Sequence, residues 1–222
     1  MIPPLENGDS LSRREFERRY HTMPEKLKAE LIEGRVFMAS PVRYPSHGGP
    51  DNRLTTLLGV YSLSTAGVHA ANNTTVRLDE KNIVQPDGLL FLDEDLGGDV
   101  SVSDDEYLEG APELIAETSG STASHDLGEK KLIYQGNRVC EYIVWAVHDG
   151  QLQWFRLDET GVYVQMEPDE NGVIRSQVFP GLWLNIPALL QDDIATILGT
   201  LQQGLASPEH QAYVESLKAK AG

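Results

Sequence analysis

The sequence predicts a mixed α/β fold, in which a mixed sheet is flanked by helices in one domain and a helical appendage follows. The first observation is the order of the elements, which runs helix, strands, helix, strands, helix, strand. The second is the continuous apolar and β-branched run at residues 141–147, which is typical of a buried strand. The third is the composition, since 222 residues with 40% hydrophobic and 23% charged side chains suit a chain that buries a core. We expect a main domain over residues 1–187 and a helical appendage of the same domain over residues 188–222.

Start and stop signals place the first elements. Ser12 and Glu15 have the spacing of a helix capping box, which predicts a helix from residue 12 to about residue 21. Two short strands are expected within residues 31–38, with a turn at Glu33-Gly34 between them. Ser40-Pro41 then ends the second strand.

The middle of the chain alternates between helical and extended patterns. A loop rich in glycine, proline and serine surrounds His47, and a helix is predicted from Pro50, where leucines and a tyrosine recur at helical spacing. Three extended segments follow, and their succession implies that they share a sheet: residues 74–78, 83–92 and 113–118. A polar stretch at residues 119–126 then leads into a helix over residues 127–134.

The C-terminal part is predicted to contain a hairpin and two helices. Residues 151–157 and 162–165 form the hairpin. Pro187 begins a helix that continues to about Leu205, and Ser207-Pro208 begins the last helix. The apolar side chains of the first of these helices could fold back on the domain or pair with a second copy of the chain: Leu189, Leu190, Ile194, Ile197, Leu198 and Leu201.

The charge is negative and unevenly distributed. The chain has 18 lysines and arginines against 34 acidic residues, a net charge of −16. Residues 79–113 hold twelve acids and one base, which predicts a solvated acidic loop around Gly97-Gly98. Residues 10–28 carry a net charge of +3 and could contact an anion. The overall charge argues mildly against a nucleic-acid substrate, unless local basic patches, metal ions or a partner make the contact.

The sequence also bears on the location of the protein. No apolar run approaches the length of about 20 residues that a membrane-spanning helix needs, and no basic segment leads into an apolar stretch at the N-terminus. We therefore expect no membrane contact and no secretion. Cys140 is the one cysteine, which excludes an internal disulfide and a thiolate-rich metal site, and its apolar surroundings favour a buried structural thiol. These features agree with a cytoplasmic protein.

Two acids lie in apolar strand patterns. A carboxylate buried there must either have hydrogen-bond or charge partners or serve a function. Asp87 follows Pro86 in the middle of a predicted strand, and Glu117 ends the apolar run at residues 114–117. If the two strands are neighbours, both carboxylates converge on one point and form the protein ligands of a magnesium site, which water and a substrate phosphate complete. Lys130 stands about one turn into the next helix, with Tyr134 on the same face, and could reach a metal-bound water or a phosphate.

Each of these residues also has a simpler interpretation. Asp126 and Lys130 are spaced as an i, i+4 surface ion pair. Asp87 could begin a turn after its proline, and Glu117 could cap the backbone of the following serine-rich loop. The ordered combination of a Pro-Asp pair, a strand-borne glutamate and a lysine on the following helix favours the functional interpretation.

At this point the sequence resembles a known family. The residues that carry the resemblance form an ordered series: Pro86-Asp87, residues 112–119, residues 126–130, Tyr134 and residues 139–144. In this order they are similar to the Uma-type putative restriction endonucleases, a branch of the PD-(D/E)XK nuclease superfamily. Residues 30–34, His47 and residues 179–182 extend the resemblance, so that it covers about residues 10–190.

The resemblance implies a restriction-endonuclease-like fold, with residues 1–187 as the nuclease-like domain. It implies a Mg²⁺ ion, or Mn²⁺, held by Asp87 and Glu117 with the carbonyl of Thr118 as a further ligand. It also implies a catalytic role for Lys130.

The same resemblance matches further residues to the site. Ser119 stands where the superfamily's usual lysine would be, so that Lys130 on the next helix is a relocated version. Glu30 matches an acid on the N-terminal helix that often joins such a site. His47 matches the family's histidine, as a ligand, a proton carrier or a flexible loop residue. Tyr134 could hydrogen-bond the scissile phosphate or pack against the sheet.

These expectations favour a Mg-dependent endonuclease-like hydrolase that cleaves phosphodiester bonds of nucleic acid, with DNA as the substrate that the family suggests. A homodimer is expected, because two facing sites would cut both strands. Two alternatives stay open. One is a catalytically silent binding or scaffold protein on a nuclease fold, which the net charge and Ser119 favour. The other is a hydrolase of a smaller phosphate ester, which would tolerate an acidic surface better.

Overall fold

The computed structural model describes residues 2–24, 27–39 and 41–221. In this part of the chain two six-stranded sheets and a short hairpin are surrounded by helices. The predicted mixed α/β class with flanking helices is confirmed, although the strands divide between two sheets where one was expected. No helix in the described ranges has both the length and the apolar character needed to cross a bilayer. The predicted strand end at Ser40 falls outside the described residues.

The elements follow one another in the order that the sequence suggests, with several additions. The described elements are, in chain order, α1 (Arg13–Tyr20), β1 (Ala29–Ile32), β2 (Arg35–Met38), a first π-helical turn (Tyr44–Gly48), α2 (Gly49–Ser64), β3 (Val68–Ala71), β4 (Val76–Arg77), β5 (Ile83–Val84), β6 (Gly88–Leu92), a 3₁₀ turn (Glu94–Leu96), β7 (Ser101–Val102), β8 (Leu108–Glu109), β9 (Leu114–Ser119), α3 (Ala123–His125), a second π-helical turn (Asp126–Lys130), α4 (Lys131–Gly136), β10 (Glu141–Ala146), β11 (Gln151–Leu157), β12 (Tyr163–Gln165), β13 (Val173–Arg175), β14 (Trp183–Asn185), α5 (Ile186–Gln191), α6 (Ile194–Leu205) and α7 (Pro208–Ala221). The predictions missed β3, β7, β8 and the β13–β14 hairpin, which are short and lack a strong alternating pattern.

Both sheets are mixed. The strand order of the first sheet is β2-β1-β5-β4-β8-β7, and that of the second is β12-β11-β10-β9-β6-β3. Their strands pair antiparallel except for β4 with β8 in the first sheet and β9 with β10 in the second. The parallel pair β9–β10 lies at the centre of the second sheet, and every residue of both strands is buried. This burial explains why residues 141–147 read as a continuous apolar run.

The first helix begins where its capping signal predicts. The Ser12 hydroxyl accepts a hydrogen bond from the backbone N–H of Glu15, as the capping box requires. The Glu15 carboxylate does not complete the box, because it pairs with Arg18 and Arg19 on the helix surface. Phe16 is the buried residue of this helix and packs against the first sheet.

The predicted strand at residues 83–92 is divided between the two sheets. Residues 83–84 belong to the first sheet and residues 88–92 to the second, with Gln85-Pro86-Asp87 between them. Proline cannot donate a ladder hydrogen bond, which agrees with the break at this point. The prediction that Asp87 lies in the middle of a strand is therefore wrong. Asp87 lies where the chain passes from one sheet to the other.

The two faces of β9 bury different sets of side chains. Leu114 and Ala116 belong to the core cluster that includes residues of α2 and α6, whereas Ile115 belongs to a second cluster with Tyr142. Because side chains alternate along a strand, Glu117 lies on the face of Ile115. This places its carboxylate toward α4.

The C-terminal helices pack against the core of the second sheet. Ile197, Leu201 and Leu217 are buried in the same cluster as residues of α2. The predicted continuous helix from Pro187 to Leu205 is wrong in one respect, because it is broken at Asp192. Asp192 has a φ of 62°, a left-handed conformation that aspartate tolerates better than most residues.

Candidate active site

Lys130 lies at the centre of a buried polar network. It ends the second π-helical turn, and only 5% of its surface is exposed. Its Nζ donates hydrogen bonds to Glu30 Oε1 and Glu117 Oε1, each at 3.0 Å. The alternative interpretation of Asp126 and Lys130 as a surface ion pair does not hold. Both residues are buried, and the Asp126 carboxylate accepts a hydrogen bond from Ser119 Oγ instead.

Tyr134 completes the contacts of the same Glu117 oxygen. Its hydroxyl donates to Glu117 Oε1 at 2.8 Å. Its ring also packs edge-on against Tyr142, with ring centroids 4.9 Å apart. Glu117 Oε1 thus accepts two hydrogen bonds, while Oε2 receives none from the described residues.

Glu30 joins this network from the first sheet. It lies on β1 rather than on an N-terminal helix, so the helical placement that the resemblance implied is wrong. Besides the contact with Lys130, its Oε1 accepts a hydrogen bond from the backbone N–H of Gln85 at 2.8 Å. The Glu30–Lys130 pair therefore connects β1 to the helical segment that packs on the second sheet.

Burial and the neighbouring charges shift the pKa values of both Glu117 and Lys130. Burial raises the pKa of Glu117, and the Lys130 ammonium opposes that effect. Burial alone would lower the pKa of Lys130, but the carboxylates of Glu117 and Glu30 outweigh it and raise that pKa well above its usual value. Lys130 is therefore a stable cation at neutral pH. It is suited to stabilising negative charge and not to exchanging protons.

Asp87 lies between the residue that follows Glu117 and the side chain of His47. Its Oδ2 accepts a hydrogen bond from the backbone N–H of Thr118 at 2.7 Å, directly after Glu117. Its Oδ1 lies 3.3 Å from His47 Nε2. The contact with Asp87 raises the pKa of His47. Asp87 and Glu117 thus stand beside each other, although Asp87 reaches this position from a connection and not from a strand.

His47 is held by a helical turn where the sequence predicted a flexible loop. It lies in the first π-helical turn, directly before α2, and its backbone N–H donates to the carbonyl of Arg43 at 3.0 Å. One turn further, Asp51 lies in the first turn of α2. His47, Asp51 and Asp87 each offer one ligand atom, and these atoms all lie within 4.8 Å of one another.

Asp51 is the residue that sequence reasoning missed. Its Oδ1 is buried and has no hydrogen-bond partner, and no described residue donates to its other carboxylate oxygen. Burial and the neighbouring charge of Asp87 raise the pKa of Asp51 to about 6. An acid in the first turn of a helix is common because it interacts favourably with the helix dipole, so its sequence position gave no signal.

Most of these side chains line one cavity of about 540 Å³, although Asp51 and Tyr134 do not belong to its lining. Its lining includes Glu30, His47, Asp87, Glu117 and Lys130 together with the basic residues Lys28 and Arg43. Such a volume suits a small ligand or part of a larger one. Lys28, Arg43 and Lys130 are the basic residues of a lining that also holds the acids Glu30, Asp87, Glu117 and Asp126.

The donor atoms fit a divalent ion. Carboxylate oxygens are the ligands that Mg²⁺ prefers, and an imidazole nitrogen also suits Mn²⁺. The unpartnered Asp51 carboxylate and the free Oε2 of Glu117 are available without breaking a hydrogen bond to the described residues. Asp87 is oriented by the Thr118 N–H, which leaves its Oδ1 toward the cavity side chains. The residues present are therefore compatible with a bound metal.

A family model described as Uma2, putative restriction endonuclease, matches residues 13–187. The chain belongs to this family. The match confirms the resemblance that the motifs indicated. The matched range includes the network around Lys130 as well as His47, Asp51 and Asp87. No curated protein matches the sequence.

A solved structure supports the fold of this Uma2 member. The crystal structure of a putative nuclease belonging to DUF820 from Anabaena variabilis is similar, with a TM-score of 0.60 and 14% sequence identity. The match covers 78% of this chain and 96% of that chain. At this identity the similarity establishes the fold, and the activity has to be argued from the site.

Proposed function

We propose that this Uma2 protein is a metal-dependent endonuclease that hydrolyses phosphodiester bonds of DNA. The observation that carries the proposal is the convergence of Glu117, Lys130 and Asp87, which come from three separate elements. Lys130 lies 3.0 Å from Glu117, and Asp87 is held by the backbone N–H of the residue that follows Glu117. For phosphoryl transfer, a buried cation can stabilise the negative charge that develops, and two carboxylates beside it at a cavity can bind a metal ion.

Asp87 and Glu117 are the residues that would hold Mg²⁺ or Mn²⁺. When bound, such an ion neutralises phosphate charge and lowers the pKa of a water molecule. Glu117 offers its Oε2 for this purpose, because its Oε1 is engaged by Lys130 and Tyr134. The Thr118 N–H fixes the orientation of Asp87 before any ligand arrives.

Lys130 would stabilise the negative charge that develops on the phosphorus oxygens. Its raised pKa keeps it charged, and its buried position strengthens its interaction with an anion. Tyr134 holds Glu117 through its hydroxyl and acts as a positioning residue. Glu30 holds the Lys130 ammonium from the other side at 3.0 Å.

DNA is proposed as the substrate on the basis of family membership, and the site supports it through charge. Lys28 and Arg43 line the cavity and could contact backbone phosphates. Because the net charge of −16 opposes the approach of a polyanion, cleavage should depend strongly on ionic strength.

The test is nicking of supercoiled plasmid at low salt with Mg²⁺ or Mn²⁺. Asp87→Asn and Glu117→Gln remove one carboxylate charge each and should reduce the cleavage rate by about 100-fold or more, as is typical when transition-state charge stabilisation is lost. Asp95→Asn and Glu94→Gln are matched controls, because these acids are exposed in the 3₁₀ turn.

Two outcomes would contradict the proposal. Equal cutting by the wild type and both site variants would show that the cleavage comes from elsewhere. A wild-type protein that binds the metal and DNA but never cuts would instead fit the binding or scaffold alternative.

A further inference from the structure

We propose that Asp51, His47 and Asp87 form the metal-binding group of this site and that the group takes Mn²⁺ in preference to Mg²⁺. This inference deepens the proposed function and rests on it for the role of the ion. It adds Asp51 as a ligand, and it makes the imidazole of His47 the source of the metal preference.

The first argument is geometric. One ligand atom from each of the three side chains lies within 4.8 Å of the other two. Within the residues that the structure describes, this is the one such group of three histidine, cysteine or acidic side chains. Glu117 lies outside this group of three, and its Oε2 keeps the ligand role given to it under the proposed function, because only its Oε1 is engaged by Lys130 and Tyr134.

The second argument is the unpartnered carboxylate of Asp51. Its buried Oδ1 has no hydrogen-bond partner, although burying a charged group without compensation is costly. The Asp87 carboxylate nearby increases this cost by repulsion. A divalent cation would compensate both carboxylates at once, whereas no described side chain forms an ion pair with Asp51.

The third argument is that the surroundings already hold the ligands in place. The Thr118 N–H binds Asp87 Oδ2, and the Thr55 hydroxyl donates to the backbone carbonyl of Asp51 at 2.8 Å. His47 is fixed by its helical turn and its backbone hydrogen bond to Arg43. Such outer contacts orient metal ligands and support affinity.

The fourth argument concerns the choice of ion. Mg²⁺ is a hard cation that prefers oxygen ligands and retains its waters, whereas imidazole is a good ligand for transition metals. Two carboxylates and one imidazole therefore favour Mn²⁺ over Mg²⁺. The remaining coordination positions would be left to Glu117 Oε2, water and a phosphate oxygen.

The experiment measures metal binding directly in the full chain without DNA. Mn²⁺ is titrated into the protein, and the free ion is followed by electron paramagnetic resonance. Competition with Mg²⁺ then gives the ratio of the two affinities. We expect Asp51→Asn to weaken Mn²⁺ binding by about tenfold or more, which is the scale of effect for residues that support a metal site. Asp95→Asn is the matched control and should bind Mn²⁺ as the wild type does.

The folded state of the variant is checked at the same time. Without metal, Asp51→Asn should melt at the same temperature as the wild type or higher, because it removes an unpartnered buried charge. With Mn²⁺, the wild type should be stabilised by ligand binding and the variant should lose most of that shift. His47→Gln provides a second variant and should reduce the preference for Mn²⁺ over Mg²⁺.

The outcomes separate this inference from the proposed function. Undiminished Mn²⁺ binding by Asp51→Asn, or equal wild-type affinities for Mg²⁺ and Mn²⁺, would overturn the inference and leave the nicking test untouched. Mn²⁺ binding that depends on Asp51 in a protein that never cuts DNA would support the inference and overturn the nuclease proposal.

Discussion

At the residue scale, Lys130 is the side chain whose removal has the clearest consequence. Lys130→Met leaves Glu117 and Glu30 without their cation in a buried site. We expect the free energy of unfolding to fall by about 3 to 5 kcal/mol, because removing one partner of a buried ion pair leaves the other charge uncompensated. Urea denaturation measures it, with Lys218→Met as a control, because Lys218 is exposed on α7.

A double variant shows whether Glu117 is the partner responsible. The double variant, Lys130→Met with Glu117→Gln, should lose less free energy of unfolding than the two single variants lose in sum, because no unpaired carboxylate remains at position 117. We expect a coupling of about 0.5 to 3 kcal/mol, the usual range for residues in contact. Strict additivity would show that the pair does not stabilise the fold.

The sequence indicated some of these residues and could not indicate others. Glu117 stood out because a charge in an apolar strand pattern needs an explanation, and Lys130 because of its place on the following helix; the structure brings the two together. Asp51 carried no such signal, since an acid at a helix start is ordinary. Its lack of a partner is a property of the folded chain. Glu30 was assigned to the wrong element because its role came from resemblance and not from its own strand pattern.

At the element scale, two glycines hold α6 against the turn before β14. A Cβ on Gly204 would lie 2.2 Å from the carbonyl oxygen of Gly181, so helix and turn touch through backbone atoms. Gly204→Ala should lower the free energy of unfolding by about 1 to 3 kcal/mol through overpacking. Thermal or urea unfolding measures this change.

Gly199 in the same helix is the matched control. A Cβ there would meet no atom within 4 Å. Gly199→Ala should therefore raise the free energy of unfolding by about 0.5 to 1 kcal/mol, because alanine is the better helix former. Similar effects from the two substitutions would contradict the backbone contact.

Element boundaries were harder to predict than the elements themselves. The strand at residues 83–92 read as continuous because both of its halves are apolar, but the halves belong to different sheets. The helix after Pro187 read as continuous because Asp192 is compatible with a helix pattern. Asp192 adopts a left-handed conformation between α5 and α6, and no glycine marks this break in the sequence.

At the scale of the whole molecule, we predict a homodimer that uses an exposed apolar surface of α5 and α6. Of the six apolar residues singled out in the sequence, Leu189, Ile197 and Leu201 are buried in the core. The other three remain exposed by 37 to 48%: Leu190, Ile194 and Leu198. Ile194 and Leu198 are neighbours on one helix face.

Light scattering on the eluting protein measures the mass in solution. The wild type should have the mass of two chains, and Ile194→Asp with Leu198→Asp should shift it to one. Leu63→Asp is the control, since Leu63 is 91% exposed at the end of α2. A monomeric wild type, or equal dissociation in the control, would rule out this surface.

The Glu30–Lys130 contact joins groups that are 100 positions apart along the chain, one on a strand of the first sheet and one on the helical segment that packs on the second sheet. Closing so long a loop costs chain entropy, and the packing of both sheets has to offset that cost. Contacts of this range are of the kind that slows folding, and no short isolated segment of the chain contains both residues. The complete network of Glu30, Lys130 and Glu117 therefore exists only when both sheets are in place.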